Sequence, residues 1–310
     1  MTIIDILMKR DPSVKRMTLK YLMDQPAPYV TDGWIARFLE AFDQKKGMWG
    51  GGIYGPKWIS TFYTLRDLTS LEIDPDHPIY QRGLKTLAEH MWEPERPKIT
   101  DECVIAMLTS MMVYGRQSPG TVEEMISCLA GKQMPDGGWN CDASRPSVRV
   151  KPRSSSVHTT LSVLEAYHDY DSAGSVKSIG MVRKQSAEGR EYLLRKRLMR
   201  RESNGELIFS TITEYHFPER WKYDVLKSLV YFASAGHPYD PRMAEALDLL
   251  KARLCKGYLG RGSAHGGRLH FKMETGKLGL MNTLRGLRVL KTYDPETYRK
   301  VISMEMPDFD

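Results

Sequence analysis

The 310-residue chain is short of cysteine: Cys103, Cys128, Cys141 and Cys255 are all it has, and their spacing forms no framework. That excludes a disulfide-built scaffold and suits a reducing compartment, where thiols are buried, catalytic or metal-bound. Long apolar runs are missing too; nothing approaches the roughly 18 residues of a membrane span. The opening MTIIDILMKRDPS lacks a basic stretch followed by an apolar core and a small-residue cleavage site. These absences lead to the expectation of a cytoplasmic protein without a membrane span, with peripheral contact left open. Strand-like alternation is weak throughout. No nucleic-acid motif or aromatic stacking pattern accompanies the basic residues, so nucleic acid is not an expected partner.

Charge is plentiful and uneven, with a net value of +7. Arg145, Arg149, Lys151 and Arg153 fall in one loop, and eight Lys/Arg lie between Arg183 and Arg201. The second group, mostly in GREYLLRKRLMRR, reads as a solvated helix face. With 41% apolar and 27% charged residues the chain can bury a substantial core. A single domain is expected over 1–310, with a helical extension at 1–30 and a tail at 300–310.

A repeat organises the chain. KWISTFYTLRDLTSL (57–71), TDECVIAMLTSMMVY (100–114), SSVHTTLSVLEAY (155–167), RWKYDVLKSLVYF (220–232) and LGLMNTLRGLRVL (278–290) share one apolar rhythm at helical spacing. Each follows a second amphipathic segment, at 33–42, 80–92, 121–133, 189–199 and 241–254. A helix pair cannot bury its apolar face alone, so neighbours must stack. The fold class expected is all-α, with five or six helix pairs closing into a ring of inner and outer helices. Trp58, His158, Trp221 and Tyr223 then fall near the starts of inner helices.

The turn QMPDGGWNC (133–141) ends in a tryptophan and a cysteine. Gln133-x-x-x-Gly137-x-Trp139 resembles the QW motif of squalene–hopene cyclases and related terpene cyclases. Gln44-Lys-Lys-Gly47-Met-Trp49 fits it with a shorter spacer, and degenerate versions sit at Glu202–Leu207 and Lys256–Leu259. The resemblance covers most of 30–292 and implies the α/α toroid shared with the β subunits of protein prenyltransferases. In that fold the Gln caps a neighbouring helix end and the Trp stacks in the turn. The D-x-D-D acid of class II cyclases is absent; Asp74-Pro-Asp76-His reads as a turn.

The prenyltransferase branch is the closer fit. Asp101-Glu-Cys103 enters one inner helix, and His158 enters the next after a Gly-Gly-aromatic turn and a basic loop. The resemblance implies zinc ligands at Asp101, Cys103 and His158. Cys141 is a further soft donor at the same rim, and sulfur with imidazole suits zinc. The function so implied is a zinc-dependent transferase-like enzyme acting on a hydrophobic, isoprenoid-like substrate in the central cavity. Arg149, Lys151 and Arg153 would hold a diphosphate or other anion.

HFPERWKYD (216–224) reads as the opening of the fourth inner helix, with Pro218 in its first turn. Arg220, Trp221 and Trp58 are substrate-wall candidates there. Asp224 and Tyr223 are candidates for metal-free, cyclase-like catalysis. GRGSAHGGRLHF (260–271) falls over the same cavity mouth and matches no phosphate-loop spacing; it reads as a plain connection, with a binding loop as the alternative. The alternative function is a non-catalytic toroid that binds a ligand or partner, with a structural zinc or none.

Overall fold

A computed structural model describes residues 1–93, 101–262 and 265–306. The chain is predominantly helical. Helices α1 (Ile3–Met8) and α2 (Pro12–Met17) precede α3 (Trp34–Glu40), which a hairpin of β1 (Phe42–Asp43) and β2 (Met48–Trp49) joins to α4 (Thr61–Ser70). Then come α5 (Pro78–Met91) and α6 (Glu102–Tyr114), followed by α7 (Pro119–Ala130), the single turn α8 (Cys141–Ser144) and α9 (Val157–Ser172). The last pairs are α10 (Ile179–Arg195) with α11 (Val225–Ser234), and α12 (Ala244–Leu254) with α13 (Leu280–Tyr293); α14 (Pro295–Ile302) closes the order.

Burial separates the two members of each pair. On α5 the buried residues are Tyr80, Gly83, Leu84, Leu87 and Met91, and on α7 they are Val122, Met125, Ile126 and Leu129. These are single stripes at i, i+3, i+4 and i+7, as a helix facing a core on one side requires. The second members are buried almost all round: Val104 to Met112 on α6, Thr159 to Leu164 on α9 and Met281 to Leu287 on α13. Helices apolar on every side must be enclosed by others. The C-terminal halves of α4, α6, α9, α11 and α13 all contribute to the wall of one open cavity.

Chain ends and distant loops tie this arrangement together. Trp58 donates its amide to the carbonyl of Arg268 (2.9 Å) and its indole N–H to that of Gly266 (2.7 Å). Lys291 on α13 donates to the carbonyls of Tyr21 and Leu22, and Tyr298 on α14 also donates to Leu22. The 1–30 segment and the described part of the 300–310 tail therefore pack against the rest, with Met306 buried beside Gly257. Residues 307–310 lie outside the described residues, as does residue 100.

The two QW-like turns are built alike. Trp139 is fully buried, with its indole N–H on the carbonyl of Leu129 at the end of α7 and its amide on Thr160 Oγ1. Trp49 repeats both contacts with Phe38 and Thr61. Each indole donates to a backbone carbonyl in the last turn of a helix. Gln133 donates to the carbonyls of Gly137 and Gln185, bridging the turn to α10. At Leu259 the amide still donates to a hydroxyl, that of Thr283, but no indole reaches back.

Two boundaries differ from the sequence expectation. Helix α10 begins at Ile179, ten residues before the expected start at 189, because its inner face uses Val182, Ser186 and Gly189 rather than leucines. Residues 216–224 are an irregular loop, not a helix start: Arg220 has φ of 46°, and α11 begins only at Val225 with Asp224 as its cap.

Candidate functional site

The start of one expected inner helix and the turn before the next bring two sulfurs together. Cys103 opens α6 and Cys141 opens α8, and their Sγ atoms are 3.2 Å apart. The Cys103 amide also donates to Cys141 Sγ (3.3 Å), and the Thr159 hydroxyl lies 3.3 Å from the same atom. Proton sharing with Cys103 holds the Cys141 thiol below its ordinary range, while the same contact, with burial, pushes Cys103 up.

The remaining expected ligands are engaged elsewhere. Asp101 is held by both arms of the Arg145 guanidinium, at 2.7 and 2.5 Å. His158 stacks on Phe209 (5.0 Å between centroids) with Trp221 and Tyr223 edge-on, and its Nδ1 accepts the Tyr223 amide at 2.8 Å. Burial depresses its pKa to about 4, so the ring is neutral and its one proton must sit on Nε2. A zinc-bound imidazole needs the reverse, a lone pair toward the metal and an N–H toward an outer acceptor. As placed, these side chains do not fit a zinc centre of three or four protein ligands. Among the described residues no group of three or more His, Cys, Asp or Glu is positioned to hold a metal.

Other expected site residues have structural tasks. Asp224 caps α11 through the Lys227 amide (2.8 Å) and also accepts the amide of His216. Tyr223 is fully buried with its hydroxyl on the carbonyl of Leu198 (2.6 Å). Neither lines the two cavities described below. Arg149, Lys151 and Arg153 are exposed or nearly so on the loop after α8, and Lys151 folds back on the carbonyl of Arg145.

An aromatic concavity lies at the N-terminal side of α4, α11 and α13. It has a volume of about 200 Å³. Phe38, Trp58, Phe217 and Phe271 give it an aromatic wall; Phe38 packs on Phe271 at 4.7 Å and edge-on to His270 at 5.7 Å. Its floor is the Asp67–Arg220 pair, 2.6 Å apart and buried, with the guanidinium 5.0 Å from the Trp58 ring. Burial outweighs Arg220 in raising the pKa of Asp67.

Two polar atoms in this wall stand out. Among the described residues, Glu274 Oε2 and His265 Nε2 are buried without a hydrogen-bond partner, and both residues line the pocket. Buried polar groups are nearly always paired, so such atoms point to a missing ligand group or water. Burial raises Glu274 to about 7 although the Met281 amide holds Oε1 at 2.8 Å. His265, stacked on His216 at 4.8 Å, falls to about 4 through burial first and then the neighbouring ring. Both groups are thus neutral or nearly so in weakly acidic solution. Arg261 and Lys272 add positive charge to the same lining.

A second, more polar space of about 590 Å³ lies beyond the floor. Arg66 and Glu219, each one residue from Asp67 and Arg220, line it, with Arg66 on Glu165 and Glu219 on Arg285. A layer of ion pairs therefore separates an aromatic chamber from a charged one.

No protein-family model matches the chain, and no characterised protein is significantly similar to it in sequence. No helix among the described residues is long and apolar enough to cross a membrane.

Proposed function

We propose that this chain is an α/α toroid of the prenyltransferase and terpene cyclase kind that binds a short hydrophobic, isoprenoid-like ligand in the aromatic chamber. The observation that carries the reading is that chamber, with one aromatic wall and unpaired polar atoms at Glu274 and His265. Apolar pockets with a few convergent polar groups are the default ligand sites of folded proteins. Support for the ring comes from five enclosed helices around one open cavity and from the Trp49 and Trp139 turns. The size argues for a short chain: an apolar cavity of about 150 Å³ takes benzene, and drug-sized ligands need roughly 300 Å³ or more. The ion-pair floor stops a longer chain from running through the centre, because opening it would strand buried charge. An anionic end would sit toward Arg261 and Lys272, not at Arg149, Lys151 and Arg153.

The test is a tryptophan-fluorescence titration with dimethylallyl diphosphate, dimethylallyl alcohol and farnesyl diphosphate. Saturable binding of a five-carbon probe is expected, weakened about tenfold in Phe217→Ala, since a lost aromatic contact is worth 1.4 kcal/mol or more. Absence of saturation with all three probes removes the reading.

A zinc-dependent enzyme is the second reading, favoured by one observation, the sulfur pair beside Asp101. It requires His158 to give up the Tyr223 amide and Asp101 to leave Arg145. Elemental analysis decides: stoichiometric zinc in wild type, lost in Cys103→Ala, would support it, and metal-free protein prepared without chelator would end it.

A further inference from the structure

We propose that Cys103 and Cys141 form an oxidisable dithiol, which hydrogen peroxide converts into an intramolecular disulfide linking the start of α6 to the start of α8. The pair is already assembled, with sulfurs 3.2 Å apart across 38 residues of chain. A disulfide bond is about 2.05 Å long, so closure asks the sulfurs to approach by roughly 1.1 Å. Their backbones are fastened independently: Arg145, just after α8, holds Asp101, just before α6, and Ser144 donates to Glu102. Proximity is thus built by neighbours that stay in place when the thiols react.

The two sulfurs differ in access and surroundings. Cys103 is half-buried, whereas Cys141 is buried and receives the Cys103 amide and the Thr159 hydroxyl. Cys103 is therefore the sulfur that incoming hydrogen peroxide reaches; access and not acidity assigns it the attack, since Cys141, the more acidic of the two, is buried. The Cys103 sulfur attacks one peroxide oxygen, the O–O bond breaks, and the products are Cys103 sulfenic acid and water. Cys141 then attacks the sulfenic sulfur, the S–O bond breaks, and a second water leaves with the two thiol protons accounted for. The thiols supply two electrons and peroxide accepts them. Cys128 on α7 and Cys255 after α12 have no such partner: each is a free thiol with no sulfur contact among the described residues.

The experiment treats the reduced full chain with one equivalent of hydrogen peroxide, then counts free thiols after denaturation and maps peptides by mass spectrometry. Two of the four thiols should disappear, in a cross-linked peptide pair containing residues 103 and 141, and dithiothreitol should restore them. In Cys141→Ser, Cys103 should persist as a sulfenic acid that dimedone traps. Four surviving thiols, thiol loss at Cys128 or Cys255, a cross-link between two chains, or no dimedone adduct at Cys103 would each overturn the proposal. The wild-type map requires no variant, so a Cys141→Ser protein that fails to fold leaves it testable.

Discussion

Trp139 and Gly189 touch because one of them has no side chain. A Cβ built on Gly189 would lie 3.1 Å from the Trp139 ring and 2.9 Å from Leu164, closer than packed carbon allows. The same contact recurs two repeats earlier, where a Cβ on Gly83 would meet the Trp49 ring at 2.5 Å. Each indole binds the last turn of one helix and wedges against a later one, α10 for Trp139 and α5 for Trp49, so the glycine fixes how closely these helices stack.

Gly189→Ala should therefore destabilise despite alanine's better helix propensity. Overpacking of this kind costs about 1–3 kcal/mol, against a propensity gain of about 1 kcal/mol. Gly180 lies on the same helix with open space around it, and there Gly180→Ala should be neutral or stabilising by up to about 1 kcal/mol. Urea midpoints of the two variants measure the contrast. Equal midpoints would mean that the indole does not set the spacing.

The floor of the aromatic chamber offers a second test. Asp67 and Arg220 are both buried, so removing either strands its partner in a poorly solvated site. Breaking a buried pair from one side costs about 3–5 kcal/mol, whereas apolar replacement of both partners is far cheaper. Asp67→Leu and Arg220→Met should each lower stability by that order, and the double variant by clearly less than their sum. Additive losses in the double-mutant cycle would show that the pair is not coupled.

How much of this was legible in the sequence depended on what each residue answers to. The five enclosed helices were visible because burial on all sides forces leucine and methionine into every turn of 102–114 and 280–290. The meeting of Cys103 and Cys141 was visible too, since both open helices at neighbouring positions of the repeat. Helix α10 began unseen because close approach to Trp139 selects serine and glycine, which carry no apolar rhythm. Residues 216–224 misled because Pro218 suits a first helical turn, while the ion pair to Asp67, 153 residues away, holds Arg220 at positive φ instead. Phe38, Phe217 and Glu274 were missed as a site because only the closure of distant loops brings them together with His265 and Phe271, whose loop read first as a connection over the cavity mouth. The unpaired Glu274 oxygen is a property of that closure, with no local spacing to announce it.

Glu274 should also write itself into the pH dependence of stability. Its carboxyl titrates at about 7 in the fold, against an ordinary 4.5, because burial disfavours the charged form. The folded state therefore binds the proton more tightly than the unfolded chain does. Below about pH 4.5 both states are protonated and the contribution is complete; between 4.5 and about 7 only the fold keeps the proton, and stability falls as pH rises. A gap of about 2.5 units at 1.36 kcal/mol each sets a ceiling near 3 kcal/mol on the loss. His265 pulls the other way, since its depressed pKa costs stability as pH falls through the ordinary imidazole range. Subtracting the profile of Glu274→Gln isolates the carboxyl, because the amide cannot ionise and His265 is common to both. The wild type minus variant difference in unfolding free energy should drop from pH 4.5 to about 7 and flatten above. A flat or rising difference would mean that water or a neighbouring cation already satisfies the ionised carboxylate, and Glu274 would lose its standing as the polar anchor of the chamber.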